Sequence, residues 1–365
     1  MGIDLKTPLY NNHIAYGANM ISFSGYTLPI YYSSINREHN IVRSKAGLFD
    51  VCHMSEFIIS GNDSEKFLQN LTVNDVSALK TGQIQYTVMC YNDGGIVDDF
   101  LLYKREKDFM IVANAANRKK NKKWLINNSK GDVHILDKSD KVSLIAIQGP
   151  KSRDILQALT KSNLDTLEYY SFCDTKISGF NTMVSRTGYT GELGYEIYSN
   201  NEEINKIWDC IIEAGDEHGI EPVGLGCRDT LRLEMKYALY GNDINSKTNP
   251  IEAGLGWITK LSKKSFIGKN AIVKQKKNVE KLLVSIEMLE RAIPRKGCLI
   301  YLNDKIIGKI SSGTMSPSLG KGIALGYLDI PYAKPGNRIY IDIRGNLKKG
   351  VVVKPPFYKN GSLRD

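Results

Sequence analysis

Paired cysteines are missing from this chain. The six it has, Cys52, Cys90, Cys173, Cys210, Cys227 and Cys298, lie far apart with no CxxC spacing. Such spacing fits free thiols in a reducing compartment and gives no support to a disulfide or zinc framework. The five histidines are equally scattered, so no metal is expected. Long apolar runs are missing too: no stretch approaches the length of a bilayer-spanning helix, and the first twenty residues lack the basic stretch and apolar core of an export signal. The expectation is a soluble protein with no membrane partner, placed in a bacterial cytoplasm, or in a mitochondrial matrix if the source is eukaryotic. G-x-S-x-G, Walker and H-E-x-x-H patterns do not occur, which leaves the commonest serine-nucleophile, phosphate-loop and zinc-protease chemistries without a motif.

What is present is an ordinary globular composition, 42% hydrophobic and 24% charged over 365 residues, long enough for two or three domains. The net charge of +10 calls for an anionic partner: nucleic acid, an acidic protein or a polyanionic small molecule. The sharpest basic run, "RKKNKKW" from Arg118 to Trp124, reads as a solvated helix face. With no zinc-finger, RNP-type or helix-turn-helix pattern beside it, nucleic acid is not expected as a partner.

Short period-two strands mixed with helices predict an α+β fold. Ile204, Ile207, Trp208, Ile211 and Ile212 recur at helical spacing, with Gly215 beyond them, and predict a helix buried on one face. An internal repeat follows. "ISGNDSEKFLQNLT" (59–72) aligns without gaps on "IQGPKSRDILQALT" (147–160), "TVMCYNDGGIVDDFLLY" (87–103) matches "TMVSRTGYTGELGYEIY" (182–198), and "NAANRKKNKKW" (114–124) parallels "NNEEINKIW" (200–208) less closely. Two related halves of strand, helix, hairpin and helix are expected, with repeat units near 47–138 and 139–250 inside a body of residues 1–280. Each half then projects one acidic hairpin, and a ligand crevice is expected between the halves. From 281 to 365 short alternating strands with Asn-Asp and Gly turns predict a separate antiparallel barrel or sandwich.

Four motifs carry chemistry or decline to. In "NDGGIVDDFLLY" the adjacent Asp98 and Asp99 interrupt an apolar strand; alternation sends them to opposite faces, and burying either needs compensation. Alternation alone does not choose between them. In "RTGYTGELGYE", Glu192 and Glu196 are four apart, on one face of a strand, with Tyr189 as a stacking surface. A carboxylate beside an aromatic ring suits a heterocycle with adjacent N–H donors, such as a pterin or guanine edge. "GLGCRDTLRLE" lacks the third glycine of a dinucleotide fingerprint; it predicts a helix with Arg228 in its first turn, which needs an anionic partner. Cys52 and His53, if on a strand, face apart and form no catalytic pair.

Taken in order, "TPLYNNHIAYGANMISFSGYTLPIYY", "VRSKAGLFDVCHM", "NDGGIVDDFLLY", "NAANR", "IQGP", "SRTGYTGELGYE", "GLGCRDTLRLE" and "TNPIEAGLGW" resemble the T-protein family of the glycine cleavage system, the aminomethyltransferases. The resemblance implies an internally duplicated folate-binding body, a C-terminal β-barrel and a cloverleaf-like, three-lobed arrangement. It implies transfer of the one-carbon unit of an aminomethyl group, carried on the lipoyl arm of H-protein, to tetrahydrofolate as co-substrate. Residue by residue it places the catalytic acid at Asp99, the pterin-binding carboxylate at Glu196 with Tyr189 nearby, a ligand-contacting arginine at Arg228 and pocket-lining side chains at Tyr86 and Met54. It also brings Arg364, on a C-terminal segment that reaches back to the site. The chain departs from the family pattern at Cys52, Ser55, Tyr26 and Asn19; the last two fall in the region the family uses to engage H-protein. H-proteins are generally acidic and folates carry a glutamate tail, so the basic balance would steer both. Two other readings compete. A folate-dependent demethylase is disfavoured by the full Asp-Asp motif and the absence of a fused flavin oxidase domain. A non-catalytic folate-binding factor of iron-sulfur assembly is disfavoured by the lack of a K-G-C-Y-x-G-Q-E signature.

Overall fold

Alternation along Ile96–Lys104 organises the first part of the molecule. In the computed structural model, which describes residues 4–364, Phe100 and Leu102 pack with Phe57, Leu68 and Leu125, while Tyr103 belongs to a different cluster on the opposite face; Val97 joins the first cluster because the register shifts between Ile96 and Asp98. This strand is the second of a five-stranded antiparallel sheet ordered Ile84–Cys90, Ile96–Lys104, Phe109–Ala113, Ser55–Ser60, His134–Asp137. Helices Ser64–Leu71 and Arg118–Asn128 contribute to its outer core through Leu68 and Leu125.

A six-stranded sheet repeats the plan: Phe172–Ile177, Phe180–Ser185, Gly194–Asn200, Val142–Gln148, Gly47–Asp50, Glu221–Pro222. Its helices are Ser152–Gln157 and Ile204–Gly215, and the latter buries Ile204, Ile207, Trp208 and Ile211, the face its apolar spacing predicts. Both sheets follow one chain order of strand, helix, three-strand meander, helix. The match of 59–72 with 147–160 therefore aligns equivalent elements; Gly61 and Gly149 both have positive φ where the strand turns into the helix. The match of 87–103 with 182–198 does not. The first spans strands one and two of its meander, the second strands two and three. Every neighbouring pair in a meander shares the pattern strand, Gly-bearing turn, strand, so sequence similarity slipped by one strand. Asp99 and Glu196 come from each half, but from non-equivalent strands.

The inner faces of the two sheets meet. Tyr103, Met110 and Val112 from one pack with Phe49, Leu144, Ala146, Met183 and Tyr198 from the other, and with Leu231 of helix Leu225–Glu234. Each sheet is thus covered on both sides. A small three-stranded sheet, Leu5–Lys6, Tyr26–Tyr31 and Asn19–Phe23, adds to the body. The strands Lys281–Met288, Lys321–Asp329, Lys305–Ser316, Leu299–Leu302, Arg338–Ile343 and Asn346–Val353 close a barrel whose core holds Ile286, Ile300, Leu328 and Val352. It docks on helix Leu225–Glu234, where Leu233 meets Leu283, Ile323, Leu325 and Phe357. Among the described residues no helix is long and apolar enough to cross a membrane.

Two expectations are corrected. The segment 51–54 leaves the strand Gly47–Asp50 as a turn, so Cys52 and His53 are not strand neighbours: the Cys52 thiol donates to the Leu144 carbonyl at 3.2 Å, and the His53 ring meets Phe23 edge-on. The basic run 118–124 is not a wholly solvated face. Arg118 pairs with Asp137 and Asp140, and Asn121 is buried. Its inward residues are polar, which is why the sequence reads as solvated.

Candidate active site

The two glycines of "NDGG" set the strand that carries the aspartates. Gly94 turns at φ +90, where a side chain is strained, and a Cβ on Gly95 would lie 2.0 Å from the Ser246 carbonyl oxygen. Asp93 accepts from the Gly95 N–H at 3.0 Å, and the Ile96 N–H donates to the carbonyls of Asn245 and Thr248. The turn is thereby clamped to the segment before the barrel.

Alternation then separates the pair. Asp98 points to the outer face and is fully buried, where Asn114 and Asn117 donate to Oδ1 at 2.8 and 2.6 Å and Asn121 donates to Oδ2 at 2.6 Å. Asp99 points inward and is half-buried; the Tyr86 hydroxyl donates to its Oδ2 at 3.1 Å and Asn114 to its Oδ1 at 2.9 Å. Asn114 thus bridges both carboxylates. Burial and the neighbouring Asp98 charge push Asp99 up to about 7. Burial raises Asp98 as well, against the pull of its three amide donors, so the two aspartates titrate as a pair. Lys120 faces the pair from the next helix, with its own value lowered by burial, and donates to the Tyr240 hydroxyl at 2.8 Å.

Glu196 faces the same inter-sheet space from the strand Gly194–Asn200, half-buried and hydrogen-bonded by the buried Thr187 hydroxyl. Burial raises it, while the Thr187 bond and the Arg228 charge pull it down. Arg228, in the first turn of helix Leu225–Glu234, has no acidic residue beside it in that turn. Its guanidinium lies over the Tyr189 ring at 4.6 Å and within the field of Glu196, which together supply the negative partner that position needs. Tyr189 stacks on Tyr237 with ring centroids 5.6 Å apart and donates to the Ala238 carbonyl. Across the site Tyr86 stacks on Trp257, which is 66% exposed and forms the rim. The charges of Asp99 and Arg228 both act on Tyr189, and that of Glu196 acts on Arg228.

The structure therefore brings Asp99, Tyr86, Tyr189, Arg228 and Glu196 together. Met54 is half-buried at the edge of the inter-sheet cluster. Arg364 is exposed; the C-terminal segment docks through Ser362, whose N–H and hydroxyl donate to Glu192 at 2.8 and 2.6 Å. Glu192 is not a partner of Glu196 on one strand face, because the strand begins only at Gly194. It is buried and paired with Arg43 at 2.7 Å. Sequence reasoning missed Asn114, Asn117 and Asn121, although asparagines spaced by three and four around the start of a helix were a usable signal. It also missed Thr187. A polar cavity of ≈ 390 Å³ bordered by Asp93, Thr248, Glu252 and Lys281 does not include Asp99, Glu196 or Arg228.

Two face-packed sheets that each carry one half-buried carboxylate, followed by a closed barrel, define the class: an α+β protein with a C-terminal barrel. Comparison with known proteins identifies which. The family model described as the GCVT N-terminal domain matches residues 9–263, and that of the glycine cleavage T-protein C-terminal barrel domain matches 281–359. The aminomethyltransferase of Bacillus subtilis (strain 168) is 47% identical over 97% of this chain and 99% of its own. That of Chloroherpeton thalassium is 48% identical over the same shares. The crystal structure of glycine cleavage system aminomethyltransferase T from Bartonella henselae superposes with a TM-score of 0.92 at 29% identity, covering 99% of both chains. The chain belongs to the glycine cleavage T-protein family, the aminomethyltransferases.

Proposed function

We propose that this protein transfers the one-carbon unit of an aminomethyl group, carried on the lipoyl arm of H-protein, to tetrahydrofolate. The products are 5,10-methylenetetrahydrofolate, ammonia and dihydrolipoyl H-protein, and Asp99 is the central catalytic residue. The observation that carries this reading is the pair of inward carboxylates in unlike environments: Asp99 raised to about 7 beside a second aspartate, and Glu196 held by Thr187 and Arg228. Two such groups have different work to do.

The donor set fits a reduced folate. Glu196 keeps part of its surface open and can accept from adjacent N–H donors of a pterin edge, and Tyr189 and Tyr86 present ring faces for stacking. The folate supplies the amine nitrogens that receive the one-carbon unit. Two folate amines bond to the carbon as its bonds to nitrogen and to the lipoyl sulfur break. Asp99, poised near neutrality, takes up the two protons the folate amines lose in turn and returns one to the departing ammonia and one to the departing thiolate; its charged form stabilises the positive charge that develops at the carbon. Tyr86 and Asn114 hold that carboxylate in one orientation. The net charge of +10 favours approach by an acidic carrier protein and by an anionic folate tail.

The test is Asp99→Asn assayed with aminomethylated H-protein. Turnover is expected to fall by orders of magnitude while binding of tetrahydrofolate stays within several-fold of the parent. Unchanged turnover would remove Asp99 from its role.

A further inference from the structure

Between the two sheets runs a line of buried hydroxyls that the transfer reaction does not use. The Tyr198 and Tyr103 hydroxyl oxygens are 2.7 Å apart, Tyr103 is 3.3 Å from the Ser185 hydroxyl, and Ser185 is 2.8 Å from the Thr187 hydroxyl. Thr187 in turn donates to Glu196 Oε2. All four side chains are buried. Tyr103 lies on the strand of Asp99 and on the same face, four residues on; Tyr198 lies on the strand of Glu196, two residues on. The line therefore joins the two strands that carry the site.

Counting protons gives this line a direction. A hydroxyl owns one proton. Thr187 spends its proton on the carboxylate, so the bond between Ser185 and Thr187 must use the Ser185 proton. Ser185 has one other acceptor, the Glu196 carbonyl oxygen, at the longer distance of 3.4 Å. With the Ser185 proton spent, Tyr103 donates to Ser185 and Tyr198 donates to Tyr103. Every dipole then points toward Glu196, and bonds aligned in one direction strengthen one another. The groups that face Glu196 are Arg228 from helix Leu225–Glu234, Tyr169 and Tyr170 from the segment before Phe172–Ile177, Tyr103 from the opposite sheet, and Tyr198 from its own strand. Arg228 is the cation among them, and burial opposes it.

We propose that Tyr198, Tyr103 and Ser185 are positioning residues that act through Thr187 to hold Glu196 ionised and in one orientation, as an acceptor for a heterocycle with adjacent N–H donors. The proposal rests on the folate reading for the identity of that heterocycle.

It is tested on the full chain. Carbon-13 NMR of protein labelled at the glutamate carboxyls follows the titration of Glu196 without ligand, with Glu196→Gln identifying its signal. Calorimetry with tetrahydrofolate at pH 6 and pH 8 follows binding. In Tyr103→Phe and Ser185→Ala the Glu196 midpoint is expected to rise by about half a pH unit, and tetrahydrofolate to bind about two- to fivefold more weakly at pH 6, with a smaller loss at pH 8. Ser185→Thr is expected to restore both. Tyr103→Phe conserves volume, and its thermal unfolding reports whether the fold is kept, so it decides the outcome if Ser185→Ala does not fold. An unmoved midpoint in folded Tyr103→Phe overturns the proposal; if Glu196→Gln has meanwhile lost folate binding, the folate reading stands. A midpoint that moves while Glu196→Gln binds tetrahydrofolate as tightly as the parent upholds the hydroxyl line and overturns the folate reading.

Discussion

At the scale of single residues, one strand places two identical side chains in opposite settings. Asp98 receives three asparagine amides, which oppose the effect of its burial; Asp99 receives one amide and one phenol beside the Asp98 carboxylate, and is raised to about 7. The Asp98 charge raises Asp99, so Asp98→Asn is expected to move the limb of the kcat/KM profile that lies near pH 7 toward lower pH. A profile unmoved by that change would show that Asp98 does not tune its neighbour. The same shift bears on stability. Between its ordinary value of 3.8 and about 7, Asp99 holds a proton in the folded state that it does not hold unfolded. Stability is therefore lost as pH rises through that window, and Asp99→Asn should flatten the loss in urea titrations between pH 4 and about 7. The adjacency of the two aspartates was legible; their unequal hydrogen bonding was not, because it depends on asparagines that arrive from another element.

At the scale of elements, the turn at Gly94 and Gly95 decides where Asp99 sits. A methyl on Gly95 would run into the Ser246 carbonyl, so Gly95→Ala must push the segment 245–248 away or shift the strand. It is expected to cost about 1–3 kcal/mol in urea unfolding and to lower turnover by more than that loss explains. Strands and the amphipathic helix Ile204–Gly215 follow from local periodicity, which a chain carries in itself. The slipped alignment of 87–103 with 182–198 marks the limit of that logic: alternation is the same in every strand of a meander, so it cannot number them.

At the scale of the whole molecule, the body, the barrel and the C-terminal segment converge on one buried ionic cluster. Arg43 pairs with both Glu192 and Glu234 at 2.7 Å; Glu234 also accepts from Ser316 and Ser318 of the barrel, and Glu192 from Ser362. Arg43→Met would leave the buried Glu192 without its cation and Glu234 with only the His39 ring at 3.3 Å as a basic partner. A loss of about 3–5 kcal/mol is expected, measured by denaturant unfolding, with the docking of the barrel the first contact to weaken. These partners come from four separate stretches of the sequence, at 192, 234, 316–318 and 362, and no motif announced them. Glu192 was read as half of an acidic hairpin face because only its spacing from Glu196 was visible; its true partner lies on a helix far upstream.

By itself the sequence determined the α+β class, the antiparallel barrel after residue 280, the helix that buries Trp208, and, through ordered motifs, the family. These rest on local periodicity and on short patterns that survive reading in one dimension. Only the tertiary structure decided which partners each aspartate receives, which glutamate is structural, and that a line of hydroxyls joins the two sheets. Desolvation, Coulomb fields and hydrogen-bond partners depend on distances between residues far apart in the chain, and those distances exist only once the sheets have packed.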